Sequence, residues 1–201
     1  EQYLRKKAAE KEPLNIQLTN NYAFRKLFKM NYIARGFLIA LLGLDEEDVV
    51  KLEVIDPFEE GENEEEKEGI LDIKIYLNDN KKINIEMQNR YQEDWTERSL
   101  FYNCRMFTEG LYHGQPYGDL EPCIHVGILD FDLMKTPGFH HHIKLLDIKT
   151  NEEYSSKLQF HVVQLKQVES ATEEEKQTAK DWQQVEEIIR GNPYREAVKQ
   201  E

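Results

Sequence analysis

Only two cysteines occur among the 201 residues, Cys104 and Cys123, and they form neither a C-x-x-C pair nor any other metal-type spacing. A disulfide scaffold is thereby excluded, and a reducing cytoplasm is the expected compartment. No apolar run approaches the roughly 20 residues that a membrane-spanning helix needs. The opening stretch EQYLRKKAAEKEP lacks the apolar segment of a signal peptide, so no membrane partner is expected. The G-x-S-x-G elbow, the P-loop and the dinucleotide fingerprint are missing too. Positive charge is scarce: 26 Lys and Arg stand against 39 Asp and Glu, for a formal net charge of −13. Coating nucleic acid requires the opposite balance, because binding rests on displacing counterions from phosphates. Any contact with DNA must therefore be local or metal-assisted.

With 39% hydrophobic and 32% charged residues, the chain is expected to be one well-packed domain with a helical appendage. Residues 1–16 read as a charged lead-in, 17–168 as the domain and 169–201 as a C-terminal helical extension. Thr19 or Asn20 can cap a helix bearing Phe24, Leu27 and Phe28, and IARGFLIALLG carries a second helical segment to Gly43. VVKLEVIDPF reads as a strand before a solvated acidic loop at 59–68. A long helix is expected from about Asp94 to His113, with Trp95, Leu100, Tyr102, Met106, Phe107 and Leu111 as its apolar positions. CIHVGILDF suggests a strand buried on both faces. HHHIKLLDI and LQFHVVQL suggest two more, and Ser170 with Glu173 forms a capping box before a last helix ending at Gly191. The order describes a mixed α/β domain, a sheet flanked by helices.

The hairpin ILDIKIYLNDNKKINIEMQ carries the most chemistry. Strand alternation places Leu71, Ile73, Ile75 and Leu77 on one face and Asp72, Lys74 and Tyr76 on the other. In the second strand Ile83, Ile85 and Met87 are apolar, which leaves Asn84, Glu86 and Gln88 opposite. Merging the two apolar faces requires partners of equal parity, so Asp72 meets Glu86 or Gln88. A three-residue loop, Asn78-Asp79-Asn80, with Asn in its left-handed last position, favours Glu86. Opposed strand residues have Cβ atoms roughly 5 Å apart, where two carboxylates repel unless a cation or a shared proton lies between them. Oxygen ligands of this kind suit Mg²⁺ or Mn²⁺, and such an ion can activate water against a phosphodiester. A cross-strand bridge from Lys74 on a wet sheet face would also accommodate both acids.

The fourteen-position spacing of Asp72 and Glu86, with Gln88 two further on, resembles the D-x(n)-E-x-K/Q signature of PD-(D/E)XK nucleases. The branch it looks most like is the nuclease family transposase, or recombination-promoting nuclease. LTNNYAFRKLF, ERSLFYNCRMF, LEPCIHVGILDF and LQFHVVQLKQ extend the resemblance over about residues 17–168. It implies a restriction-endonuclease-like sheet and a Mg²⁺- or Mn²⁺-dependent DNA endonuclease linked to recombination or mobile elements. Asp72 and Glu86 then hold the metal, the Met87 carbonyl adds a ligand, and Gln88 stands where many relatives have Lys. Gln can orient water but cannot act as a base. Relatives often carry Asp at the position of Asn21. That difference and the charge of −13 support an alternative, a weakened nuclease fold serving as a DNA-binding or protein-interaction module.

Arg98 and Arg105, seven apart on the long helix with Tyr102 between them, share a face from which they could reach DNA phosphates, joined by Arg90 and Tyr91. Ion pairs with nearby acids are their other use. A homodimer would supply two sites for cutting both strands. His140, His141 and His142 alternate in direction along a strand and cannot all converge on one ion. His125 and His161, in apolar strands, read as satisfied core residues.

Overall fold

The computed structural model describes residues 19–49, 52–55, 73–77 and 81–170. The lead-in, the acidic stretch at 59–68, the turn at 78–80 and the helix expected beyond Ser170 lie outside the described residues. Two helices open the domain, α1 (Asn21–Phe28) and α2 (Asn31–Leu42). Asn20 caps α1 by accepting the Ala23 N–H on Oδ1 at 3.3 Å, which satisfies one of the donors a helix start leaves open. Gly43 ends α2 in the left-handed conformation (φ 63°), its N–H returning to the Ile39 carbonyl.

Six strands follow: β1 (Leu52–Ile55), β2 (Ile73–Leu77), β3 (Lys82–Gln88), β4 (Cys123–Leu129), β5 (His140–Leu146) and β6 (Glu153–Gln164). Their spatial order is β1-β2-β3-β4-β6-β5. The first three form an antiparallel meander, β3-β4 and β4-β6 are parallel, and β5 returns antiparallel at the edge. The parallel step from β3 to β4 is bridged by α3 (Trp95–Thr108), as a parallel connection requires. This is the expected mixed sheet flanked by helices.

The main core lies between the sheet and the first two helices, where Phe24, Leu27, Phe28, Phe37 and Leu38 meet Ile73, Ile75, Ile83, Ile85, Met87, Val126 and Ile128. A smaller cluster of Trp95, Leu129, Phe131 and Val162 occupies the other side. Every residue of β4 is buried, as its unbroken apolar run predicts.

Two expectations for the long helix need correction. It stops at Thr108, short of His113: Glu109 turns extended (φ −63°, ψ 129°) and Gly110 has φ 88°. Leu100 is 45% exposed, while Trp95, Ser99, Asn103 and Met106 face the sheet. The reason is the polarity of the surface beneath. Lys82, Asn84, Glu86 and His125 are all buried, so α3 covers them with small and polar residues, Asn103 donating to the Gln159 carbonyl at 2.9 Å.

Trp95 and Met106 are the exceptions, and Gly127 makes room for Trp95. A Cβ at Gly127 would lie 2.6 Å from the Trp95 ring. Gly127→Ala is therefore expected to cost about 2–3 kcal/mol through overpacking, measured by urea unfolding; a neutral result would contradict this contact. The cysteines give a second check. Cys104 is exposed and Cys123 buried, and burial pushes the Cys123 thiol up to about 12. A thiol reagent at pH 8 should modify Cys104 alone in the native protein, with Cys123 reacting only after unfolding.

Candidate active site

The polar positions of β3, Lys82, Asn84, Glu86 and Gln88, face α3. The strand pairing Ile73↔Ile85, Lys74↔Asn84, Ile75↔Ile83 is the equal-parity register expected from the sequence. The Leu77 N–H bonds the Lys81 carbonyl at 3.0 Å, closing the hairpin around the three intervening residues. Asp72 itself lies outside the described residues.

This face of β3 is buried beneath α3 rather than wet, while the Lys74 bridge expected between Asp72 and Glu86 involves a residue outside the described ones. Lys74 Nζ pairs with Glu109 Oε2 at 2.8 Å, at the end of α3. Lys82 Nζ donates to the Glu109 carbonyl at 2.7 Å and pairs with Glu121 at 3.2 Å. Both cations thus sit near the carbonyl end of a helix, where its dipole favours them.

Glu86 occupies the centre, its side chain only 3% exposed. Arg98, in the second turn of α3, brings Nη2 to 2.5 Å from Glu86 Oε1. The Arg98 side chain is 28% exposed and its guanidinium carbon stands 5.5 Å from the Tyr102 ring centre. Burying a carboxylate without such a cation would cost several kcal/mol. On the other side, His125 Nε2 lies 4.0 Å from Glu86 Oε2. Asn84 Nδ2 is 3.0 Å from His125 Nδ1, and Trp95 stacks on the imidazole with ring centres 5.9 Å apart.

Burial, with the Arg98 charge acting in the same direction, pulls His125 down to about 3, so it is neutral in the folded protein. His161 falls to about 2, chiefly through burial and then through His142 and His140. Each group is protonated in the unfolded chain below its ordinary value of 6.5 but not in the native one. Stability is therefore full above pH 6.5 and drops below it, by up to about 1.4 kcal/mol per pH unit for each histidine. Urea unfolding at pH 7 and pH 5.5 should show this loss, and replacing His161 with Phe should remove about half of it.

The other expected site residues distribute as follows. Gln88 Nε2 donates to the Arg90 carbonyl at 2.9 Å, which folds the side chain back along the chain. The Met87 side chain is buried in the main core, leaving only its main-chain carbonyl as a candidate ligand. Arg90, Tyr91 and Arg105 are exposed, Tyr91 resting edge-on against Phe131. Arg98 turns inward to Glu86 rather than outward. Asn89 Nδ2 donates to the Thr19 carbonyl at 3.3 Å, joining the end of β3 to the segment that leads into α1. Asn21 is the first residue of that helix.

His140 and His142 on β5 share a face of the sheet with His161 of β6, whose Nδ1 is 2.8 Å from His140 Nε2, while His141 points the other way to Gln164. Among the described residues, no group of three or more His, Cys, Asp or Glu is arranged to hold a metal. Asn84 and His125 are the members of this site that sequence reasoning missed. The signal for Asn84 was its parity with Glu86. His125 becomes visible only through the parallel register, which pairs it with Asn84.

Glu86 suits a hard cation, since it offers carboxylate oxygens in a dry setting and already holds one positive group, the Arg98 guanidinium, on Oε1. No helix among the described residues is long and apolar enough to cross a membrane. A family model described as PD-(D/E)XK nuclease family transposase matches residues 18–188. No curated protein and no solved structure matches the chain.

Proposed function

The chain belongs to the PD-(D/E)XK nuclease family transposases, and on that footing we propose that it is a Mg²⁺- or Mn²⁺-dependent DNA endonuclease. The observation that carries the proposal is Glu86, a carboxylate buried at the head of α3 and held by a cation. Asp72 and Glu86 would hold the ion, with the Met87 carbonyl as a further ligand. The ion would supply Lewis-acid stabilisation of a phosphoryl oxygen and a more acidic water. Gln88 keeps a second amide hydrogen beyond the one given to Arg90, and it positions water by donating or accepting a hydrogen bond, never by carrying charge. Arg90, Tyr91 and Arg105, exposed to solvent, bind DNA phosphates and so place the backbone. With a net charge of −13, long-range attraction cannot gather DNA; these local contacts must do so, and with two Arg contacts binding should weaken only about tenfold between about 50 and 200 mM salt.

The same Glu86–Arg98 pair favours a second reading, in which Arg98 stands permanently where relatives bind an ion and the protein is a binding module. Incubating supercoiled plasmid with the protein in Mg²⁺, Mn²⁺ or EDTA separates the two. Metal-dependent nicking that disappears in Asp72→Ala protein supports the nuclease; shifted but uncut DNA in every buffer supports the module.

A further inference from the structure

Tyr91 is 68% exposed, yet the loop that carries it is fastened on both sides. Gln88 Nε2 donates to the Arg90 carbonyl before it, and the Trp95 N–H returns to the Gln92 carbonyl after it at 3.3 Å. Against the ring lies Phe131, edge to face at 78° with ring centres 5.4 Å apart. Phe131 is itself buried, packed with Trp95, Leu129 and Val162. The loop between β4 and β5 that supplies Phe131 is no looser. The Asp130 N–H bonds the Gln88 carbonyl at 2.9 Å. Gln164, fully buried, accepts the Leu133 and Met134 N–H groups on Oε1 at 2.7 and 2.8 Å and donates to the Gly138 carbonyl from Nε2 at 2.9 Å. A buried amide satisfied in this way fixes a loop in one conformation. The Tyr91 ring is thus held at the carboxyl ends of the parallel strands β3 and β4, the end at which open α/β sheets place their ligands. An edge-to-face contact occupies at most one face of a ring, which leaves the other for a planar ligand.

Charge decides what that ligand is. The two loops together carry Arg90 and Lys135 against Glu93, Asp94, Asp130 and Asp132. Such loops repel the dense phosphates of a duplex more than those of a single strand, whose bases are also open to stacking. We propose that the Tyr91 ring is a stacking platform for a nucleobase, and that the strand it takes is single-stranded or locally unpaired DNA. The inference rests on the DNA reading above and deepens it: the hydroxyl can reach a phosphate, while the ring holds a base beside Gln88. Stacking of this kind changes affinity by about 5- to 150-fold per base.

Fluorescence anisotropy of the whole protein with a labelled DNA strand of about 16 nucleotides, alone or paired with its complement, tests the platform. EDTA in the buffer removes the metal and prevents cutting. Wild type should bind the single strand at least about tenfold more tightly than the duplex. Tyr91→Phe, which keeps the ring, should stay within about threefold of wild type on the single strand, and Tyr91→Leu, which keeps apolar bulk alone, should be weakened at least about tenfold. Phe and Leu variants weakened equally would leave only the hydroxyl at work and overturn the proposal. So would a Leu variant as tight as wild type, or a duplex bound as tightly as the single strand by the wild-type protein, a comparison that needs no variant. Because binding is read without metal, a protein that holds the single strand through Tyr91 and yet fails to nick plasmid in Mg²⁺ or Mn²⁺ would sink the nuclease reading and keep this one.

Discussion

Glu86→Gln protein is expected to fold normally and to cleave DNA at least about a thousandfold more slowly than wild type. Gln is isosteric and leaves an oxygen for Arg98, so the packing beneath α3 survives. What goes is the negative charge that attracts a dication. Lewis-acid stabilisation of a phosphoryl transition state is worth several kcal/mol, and each 1.36 kcal/mol is a factor of ten in rate. Initial rates of plasmid nicking in Mg²⁺, compared at matched thermal stability, measure the effect. A loss of less than about tenfold would remove Glu86 from the metal-ligand role.

Arg98→Ala tests the opposite partner and should act on stability first. It takes the Arg98 cation from a carboxylate that is 3% exposed, and breaking a buried pair in this way costs roughly 3–5 kcal/mol. The reverse change is milder, because Arg98 is 28% exposed and can turn toward solvent when Glu86 is neutralised. Arg105→Ala, on the exposed surface of the same helix, is the control and should cost under about 1 kcal/mol. If a metal takes the place of the guanidinium, saturating Mn²⁺ should restore part of the stability lost in Arg98→Ala and raise it more than in wild type, since a ligand bound only to the native state shifts the unfolding equilibrium. An Arg98→Ala protein as stable as wild type would mean that Glu86 does not depend on this cation.

How much of this could be read from the residues differs between the two faces of the sheet. The apolar parity of Ile73, Ile75, Ile83 and Ile85 narrowed the hairpin to two registers, because a slip by one would turn either row to the wrong side, and the three-residue loop favoured the one observed. The unbroken run in β4 foretold burial on both sides. Asn20 proved to be the cap at the start of α1. Alternation says which side chains share a face, however, and nothing about what covers that face. The face bearing Asn84 and Glu86 could therefore be read as wet, although α3 buries it. The same ignorance misplaced Leu100, because a helix over a polar sheet surface need not turn its apolar stripe inward. The pairing of Asn84 with His125 joins positions far apart in the chain, and only the parallel ladder reveals it. Asp72 fell outside the described residues, so its partnership with Glu86 remains the sequence's proposal.

Calorimetric titration of Mn²⁺ into wild-type and Glu86→Gln protein, in metal-free buffer near pH 7.5, tests the central claim most directly, since it asks about the ion without requiring a correct DNA substrate. The account predicts saturable binding to wild type and its loss in Glu86→Gln protein that remains folded. Binding undiminished in Glu86→Gln, or no binding to wild type at all, would contradict it.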